Sequence, residues 1–266
     1  MYRISCFADE ISPDLGEQIK IMQKCGIKYL CLRGAWDTNV LSFSDTQTAE
    51  IIKTLNDSGI TVSTLGSPIG KTDLDTDNGI YLDQCKRALE LCQAFNCRTI
   101  RIFSFYFNKD GRDRLDEICE RMQKMLEMAR PLGIKLLHEN EHAIYGESSA
   151  NCLKLIQKVN DPLFKAIHDP ANYIIAGEDP YESFLLLKPY IEEFHIKDNN
   201  PETKKIVPAG QGSGRIPETL KEMKNKDMFL TIEPHLSAGG QFKGFTGPER
   251  FIEAHTALAE ILEQIR

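Results

Sequence analysis

The sequence predicts an α/β fold, a single (β/α)8 barrel spanning residues 1–266, and three observations carry that reading. Short runs rich in Ile, Val, Leu and Phe alternate with longer segments of helical period from end to end, and no linker interrupts them. Several helical segments stop on a glycine just before an apolar run, as at Gly26, Gly59 and Gly133, where a left-handed backbone can end a helix without a Cβ penalty. The turn after the first strand reads A-D-E-I-S-P-D and lacks the glycines with which an open doubly wound sheet cradles a pyrophosphate.

The elements follow in order. RISCFA at 3–8 is the first strand, and the amphipathic stretch 13–25 returns the chain to KYLCLR at 28–33. The segment 45–58 leads to ITVSTLG at 60–66, 79–96 leads to TIRIFSF at 99–105, and 112–131 leads to IKLLHE at 134–139. After the helical stretch 148–159 come FKAIHD at 164–169 and EEFHIKD at 192–198, whose following segments have a weaker helical period. MFLTIE at 228–233 is the eighth strand, and 248–265 is the last helix.

Composition narrows the function. Hydrophobic residues make up 41% and charged residues 27%, enough apolar surface for a large core. Lys plus Arg total 32 against 39 Asp plus Glu, and a net charge of -7 argues against a nucleic acid held by its phosphates. No uninterrupted apolar stretch of ~18 residues occurs and MYRISCFADE lacks the pattern of a leader, so a cytoplasmic protein with no membrane partner is expected. The eight cysteines include no C-x-x-C pair and several lie in apolar runs such as YLCL, which reads as buried reduced thiols and not as a zinc site on sulfur.

Polar residues interrupt the strands at one level. Strands five to eight finish on Glu139, Asp169, His195 and Glu233, and all strand C-termini of a barrel open onto one mouth, so these side chains can converge. Three carboxylates and an imidazole suit one divalent ion, with Mn²⁺ favoured and Mg²⁺, Co²⁺ or Zn²⁺ as alternatives. Without a cation, carboxylates so placed would repel one another in a site of low dielectric. Residues two apart on a strand face the same way, so Lys197 shares a face with His195, His235 with Glu233, and Glu141 with Glu139. Lys197 and His235 are therefore candidates for substrate contact or proton transfer, and His142, just past strand five, for a catalytic role. Arg33, Trp36, Lys71 and Tyr106 follow strands two to four and are candidates for the rest of the mouth. His138 and His168 point toward the helices and read as hydrogen-bonded structural residues, while His255 falls with Phe251, Leu258 and Leu262 on a packing face. Gly210, Gly212 and Gly214 could present backbone amides to an anion, or could form a tight structural turn.

On this barrel pattern, H-E-N-E at 138–141, H-D-P-A-N at 168–172, F-H-I-K-D at 194–198, G-Q-G-S-G at 210–214 and I-E-P-H at 232–235 together resemble the xylose-isomerase-like TIM-barrel sugar phosphate isomerase/epimerase superfamily. The resemblance spans essentially the whole chain. It implies that Glu139, Asp169, His195 and Glu233 hold one divalent metal and that Glu139 and Glu233 move protons on opposite faces of the substrate. Epimerases of the superfamily often place a histidine three residues after the strand-six Asp, where this chain has Asn172. A-D-E-I-S-P-D, G-S-P-I-G-K and H-E-N-E look more like an uncharacterised sugar isomerase group, which the C-glycoside-cleaving subunits also resemble. The DNA-repair branch of the endonuclease IV type needs histidines on early strands, and the first histidine here is His138.

The expected activity is that of a metal-dependent sugar or sugar-phosphate isomerase/epimerase, working through proton abstraction beside a carbonyl and an enediolate. The alternative is a metal-dependent lyase on keto-sugars or 3-keto-glycosides, either a dehydratase or a C-glycoside-cleaving subunit. A third reading, of another class, is a non-catalytic sugar-binding or partner subunit. The expected partner is a small carbohydrate, and assembly as a homo-oligomer or with a partner subunit stays open.

Overall fold

The structure, a computed structural model, describes residues 2–106, 113–236 and 246–265. Eight parallel strands close on themselves: β1 Tyr2–Cys6, β2 Tyr29–Leu32, β3 Thr61–Leu65, β4 Thr99–Ile102, β5 Lys135–Glu139, β6 Phe164–His168, β7 Ile191–Ile196 and β8 Met228–Ile232. Each pairs with its neighbours in chain order, and Cys6 seals the ring between Leu30 on one side and Ile232 on the other. Parallel neighbours need a crossover, and helices supply it: α1 Leu15–Lys24, α2 Asp45–Ser58, α3 Asn78–Ala94, α4 Leu115–Ala129 and α5 Ser149–Val159. Local chemistry sets their ends, as where Ser44 and Gln47 form a capping box at the start of α2 and Gly59, at φ 67°, ends it.

The weak helical period after the sixth and seventh strands corresponds to short helices. α6 Pro170–Ile175 and α7 Pro180–Leu187 follow β6, α8 Ile216–Met223 follows β7, and α9 Pro248–Gln264 completes the ring. Two small ribbons at the mouth had no sequence signal, Gly34–Ala35 with Thr38–Asn39 and Asp198–Asn200 with Lys205–Val207. Among the described residues no helix is long and apolar enough to cross a membrane.

Side-chain alternation along β7 organises the interior. Phe194 faces outward and meets His168 and Phe184, while Glu193 and His195 face the axis with 1% and 0% exposure. Glu193 accepts hydrogen bonds from Thr64 Oγ1 and Thr231 Oγ1, both at 2.6 Å, so the barrel centre carries a buried carboxylate. Cys6, Leu30, Leu65, Ile100, Leu136 and Leu230 belong to the apolar core around it.

His138 and His168 lie outside the barrel wall as parity requires, but they are not hydrogen-bonded structural histidines. Neither ring has a hydrogen-bond partner among the described residues; His138 stacks on Phe164, and His168 packs against Tyr173, Phe184 and Phe194. Burial lowers their pKa values to about 4 and about 3, so they pack as neutral rings. All eight cysteines are free, and seven are buried.

The segment that brings Lys71 to the mouth depends on one glycine. Gly70 has φ +84°, and a Cβ there would sit 2.0 Å from the carbonyl oxygen of Phe103. Gly70→Ala is expected to destabilise the fold by about 2 kcal/mol or more. A denaturation midpoint equal to that of the unmutated protein would contradict this close approach.

Candidate metal centre

Four neighbouring strands deliver one side chain each to a single point. Glu139 is the last residue of β5, Asp169 follows β6, His195 is the penultimate residue of β7 and Glu233 follows β8. One ligand atom from each lies within 4.8 Å of the others, and all four residues are buried. His195 Nδ1 is 2.8 Å from Glu139 Oε1 and 3.2 Å from Glu233 Oε2. Its Nε2 faces the buried Glu193 at 3.7 Å, an arrangement that keeps Nδ1 turned toward the other ligands.

Asp169 is placed by a clamp of two asparagines. Asn140 donates from Nδ2 to the Asp169 carbonyl and accepts from its amide, both at 3.0 Å, and Asn172 Nδ2 donates to the Asn140 carbonyl at 2.9 Å. Asp169 Oδ1 caps α6 by accepting from the Asn172 amide at 3.0 Å, which leaves Oδ2 for the centre, 2.6 Å from Lys197 Nζ. Asn172 thus ties the ends of β5 and β6 together.

The donor set fits a hard or borderline divalent cation: three carboxylates and a neutral-capable imidazole, sealed from water. Asp169 Oδ2 and Glu233 Oε2, which face the centre, have no well-directed hydrogen bond among the described residues. Burial raises the Asp169 pKa to about 6 despite Lys197, with Glu233 and Glu139 adding to the rise. For Glu139, burial acts upward, but His195 and Arg101 outweigh it and hold the value at about 2. Burial also opposes ionisation of Glu233, yet Lys197, His195 and His235 keep its carboxyl well below the usual range. The cluster can coordinate one divalent metal ion, whose charge would offset the repulsion among the three acids.

Beside it lies a cavity of about 410 Å³, walled in part by Glu10, Arg33, Lys71, Arg101, Glu233 and His235. Arg33 spans three acids, with Nε 2.7 Å from Asp9, Nη2 2.6 Å from Glu10 and Nη1 2.9 Å from Glu233. His235 Nε2 lies 3.1 Å from Glu10 Oε1 and 3.3 Å from Glu233 Oε1. Arg101 reaches Glu139 Oε2 at 3.1 Å, and its guanidinium lies over the rings of Phe7 and Phe103. Lys71 pairs with Glu141 at 2.7 Å.

Of the candidates read from sequence, Arg33, Lys71, His235 and Glu233 therefore meet at the cavity, and Lys197 meets Asp169 inside the cluster. Three others stand apart from the cavity wall. Trp36, with φ 53°, packs partly buried against the apolar core. Tyr106 is 37% exposed and its backbone bridges Asp73 and Ile144. His142 has a side chain 69% exposed, with Nδ1 2.6 Å from Glu147. The glycine loop forms a tight structural turn, because Gly210, Gly212 and Gly214 donate their amides to the carboxylate of Asp198.

Sequence reading missed Glu10, Arg101, Asn140, Glu193 and Asp198. Arg101 did leave a signal as a charge inside the apolar run T-I-R-I-F, and Glu193 stands two residues before His195 on the same strand face. Glu10 left none, because its partners come from distant strands.

A family model described as "Xylose isomerase-like TIM barrel" matches residues 19–261. A 3-dehydroshikimate dehydratase of Bacillus anthracis is 23% identical over 182 residues, and the match covers 60% of this chain and 64% of that protein, less than two thirds of its length. Among solved structures, the probable 3-DHS dehydratase AsbF of Bacillus anthracis superposes with a TM-score of 0.76 at 17% identity, covering 97% of this chain and 98% of that one. The IOLI protein with a bound zinc atom gives 0.79 at 15% identity over 99% of each chain. D-allulose 3-epimerase of Methylomonas sp., in complex with D-allulose, gives 0.76 at 15% identity over 100% of this chain and 97% of that one. At these identities the structural likeness speaks for the fold.

Glu193→Gln is expected to weaken divalent-metal affinity about 10- to 100-fold, because a neutral amide orients the imidazole less firmly than a carboxylate does. Calorimetric titration with Mn²⁺ reads this directly, and an unchanged affinity would remove Glu193 from the support of the centre.

Proposed function

The chain belongs to the xylose-isomerase-like TIM-barrel family, and within it we propose that this protein is a divalent-metal-dependent lyase that eliminates a β substituent from a keto-sugar or 3-keto-glycoside. The observation that carries this reading is the buried convergence of Glu139, Asp169, His195 and Glu233 beside a cavity of substrate size. Those four residues would hold a divalent ion, Mn²⁺ by preference, which when bound would supply Lewis-acid polarisation of a carbonyl.

The chain's own groups handle the protons. Glu233 is the member of the quartet on the cavity wall, and it removes the proton beside the carbonyl. The electron pair of the broken C–H bond forms the enolate and then the new C=C bond as the β C–O or C–C bond breaks. His235, 3.3 Å from Glu233 Oε1, gives a proton to the departing oxygen or carbon and recovers it from Glu233, so the pair returns to its starting state. Glu139, tied to Arg101 and His195, stands ready for proton transfer on the other face. Lys197, on Asp169 at 2.6 Å and Glu233 at 3.6 Å, holds the acids in place.

Two features support elimination over epimerisation: the named activity of the dehydratase relative, and Asn172, which is engaged with the Asn140 carbonyl where an epimerase often offers a histidine to substrate. One observation favours isomerase or epimerase chemistry as a second reading: Glu139 and Glu233 both approach His195 Nδ1, a pairing suited to exchanging protons on opposite faces. Both readings share the enolate.

The test is incubation of Mn²⁺-loaded protein with keto-sugars and 3-keto-glycosides in deuterated water. Release of water or aglycone is expected; deuterium incorporated into an unchanged or isomeric sugar would instead establish the second reading. Glu233→Gln is expected to lower kcat about 10²- to 10⁴-fold, and full activity in that variant would contradict its assigned role.

A further inference from the structure

We propose that the substrate is uncharged, bearing neither phosphate nor carboxylate, because the groups at the mouth that could hold an anion are already engaged by the protein's own carboxylates. The inference rests on the enolisation reading above and names the substrate class for it. Two separate observations carry it.

The first is the loop after β7, a frequent phosphate site in barrels. Here Asp198, fully buried, takes the place of such a phosphate: Gly210 and Gly212 donate to Oδ2 at 2.9 and 3.0 Å, and Gly214 donates to Oδ1 at 2.8 Å. The Asn199 amide also donates to Oδ1, at 2.8 Å. The loop closes tightly on this side chain, since a Cβ on Gly212 would lie 2.4 Å from Asp198 Oδ1 and one on Gly214 would lie 2.7 Å from it. A phosphate arriving here would meet spent amides and a buried negative charge.

The second is the cavity wall. Its four cationic groups are Arg33, Lys71, Arg101 and His235, and each already faces a carboxylate: Arg33 those of Asp9, Glu10 and Glu233, Lys71 that of Glu141, Arg101 that of Glu139, and His235 those of Glu10 and Glu233. The same wall carries five acids, the fifth being Asp37, so among the described residues an anion faces more negative than positive groups. To bind Arg33 it would have to displace a carboxylate and leave that acid without its partner, which is costly where Glu10 and Glu233 are buried. A hydroxyl faces no such conflict, because it can donate to these carboxylates where they stand.

The test compares ligands on the Mn²⁺-loaded, unmutated protein by calorimetry: a neutral 3-keto-glycoside, a keto-sugar 6-phosphate, 3-dehydroshikimate and inorganic phosphate. The neutral glycoside is expected to bind about tenfold or more tightly than either organic anion, and inorganic phosphate is expected not to compete with it. Equal or tighter binding of the phosphate ester or of 3-dehydroshikimate would overturn the inference. Solvent-deuterium exchange on the same samples separates the two proposals. Exchange or product release with an anionic substrate defeats the charge assignment and leaves enolisation standing, whereas tight neutral binding with neither exchange nor release of water or aglycone does the reverse. In Asp198→Ala the vacated amides are expected to accept inorganic phosphate and raise the melting temperature, with no response in the unmutated protein. A folded variant that ignores phosphate would contradict the part assigned to Asp198, and the ligand comparison decides the matter alone if the variant does not fold.

Discussion

Three carboxylates buried around one imidazole set the terms for everything at the mouth of this barrel. Glu139, Asp169 and Glu233 cannot all be ionised at such short range without positive charge close by. The chain supplies part of it through Arg101 on Glu139, Lys197 on Asp169, and Arg33 with His235 on Glu233. The Arg101 and Lys197 pairs are buried and those of Arg33 and His235 are partly buried, so desolvation consumes much of their Coulomb gain, and their main effect is to fix positions. The same demand for charge accounts for a cluster that can take a divalent ion, and for wall cations that each face a carboxylate of the chain itself.

Support for the centre runs down the barrel axis. Lys197, His195 and Glu193 occupy successive inward positions along and just past β7: the first touches Asp169, the second joins the quartet, and the third is gripped by Thr64 and Thr231. Residues two apart on a strand share a face, so one strand carries a ligand, the group beneath it and the ammonium above it. Rigid strands hold such a constellation more accurately than loops do.

Much of this was legible in the sequence, and the limit has a physical cause. Period and glycine stops located the strands, because backbone geometry is a local property; the eighth strand, read as 228–233, is Met228–Ile232. The quartet was legible because all barrel strands end at one mouth, so position along a strand substitutes for knowledge of contact. The partners of Arg33 were not legible, since Asp9, Glu10 and Glu233 are joined only by closure of the ring between β1 and β8. Of the two alternatives open for the glycine loop, an anion site or a tight turn, the structure shows the turn, and the sequence does not choose between them because Asp198, which accepts the amides, lies 12 residues or more away and carries no mark of that role. Strand parity alone puts His138 and His168 on the outer face, while their lack of hydrogen bonds among the described residues depends on an aromatic environment assembled from several elements.

The most direct test of the central claim is anomalous diffraction at the manganese edge from a crystal of the protein soaked in Mn²⁺. The expected result is one peak enclosed by Glu139, Asp169, His195 Nδ1 and Glu233, with Glu193 still behind the imidazole. A peak elsewhere, or those four side chains turned away from a common point, would contradict it.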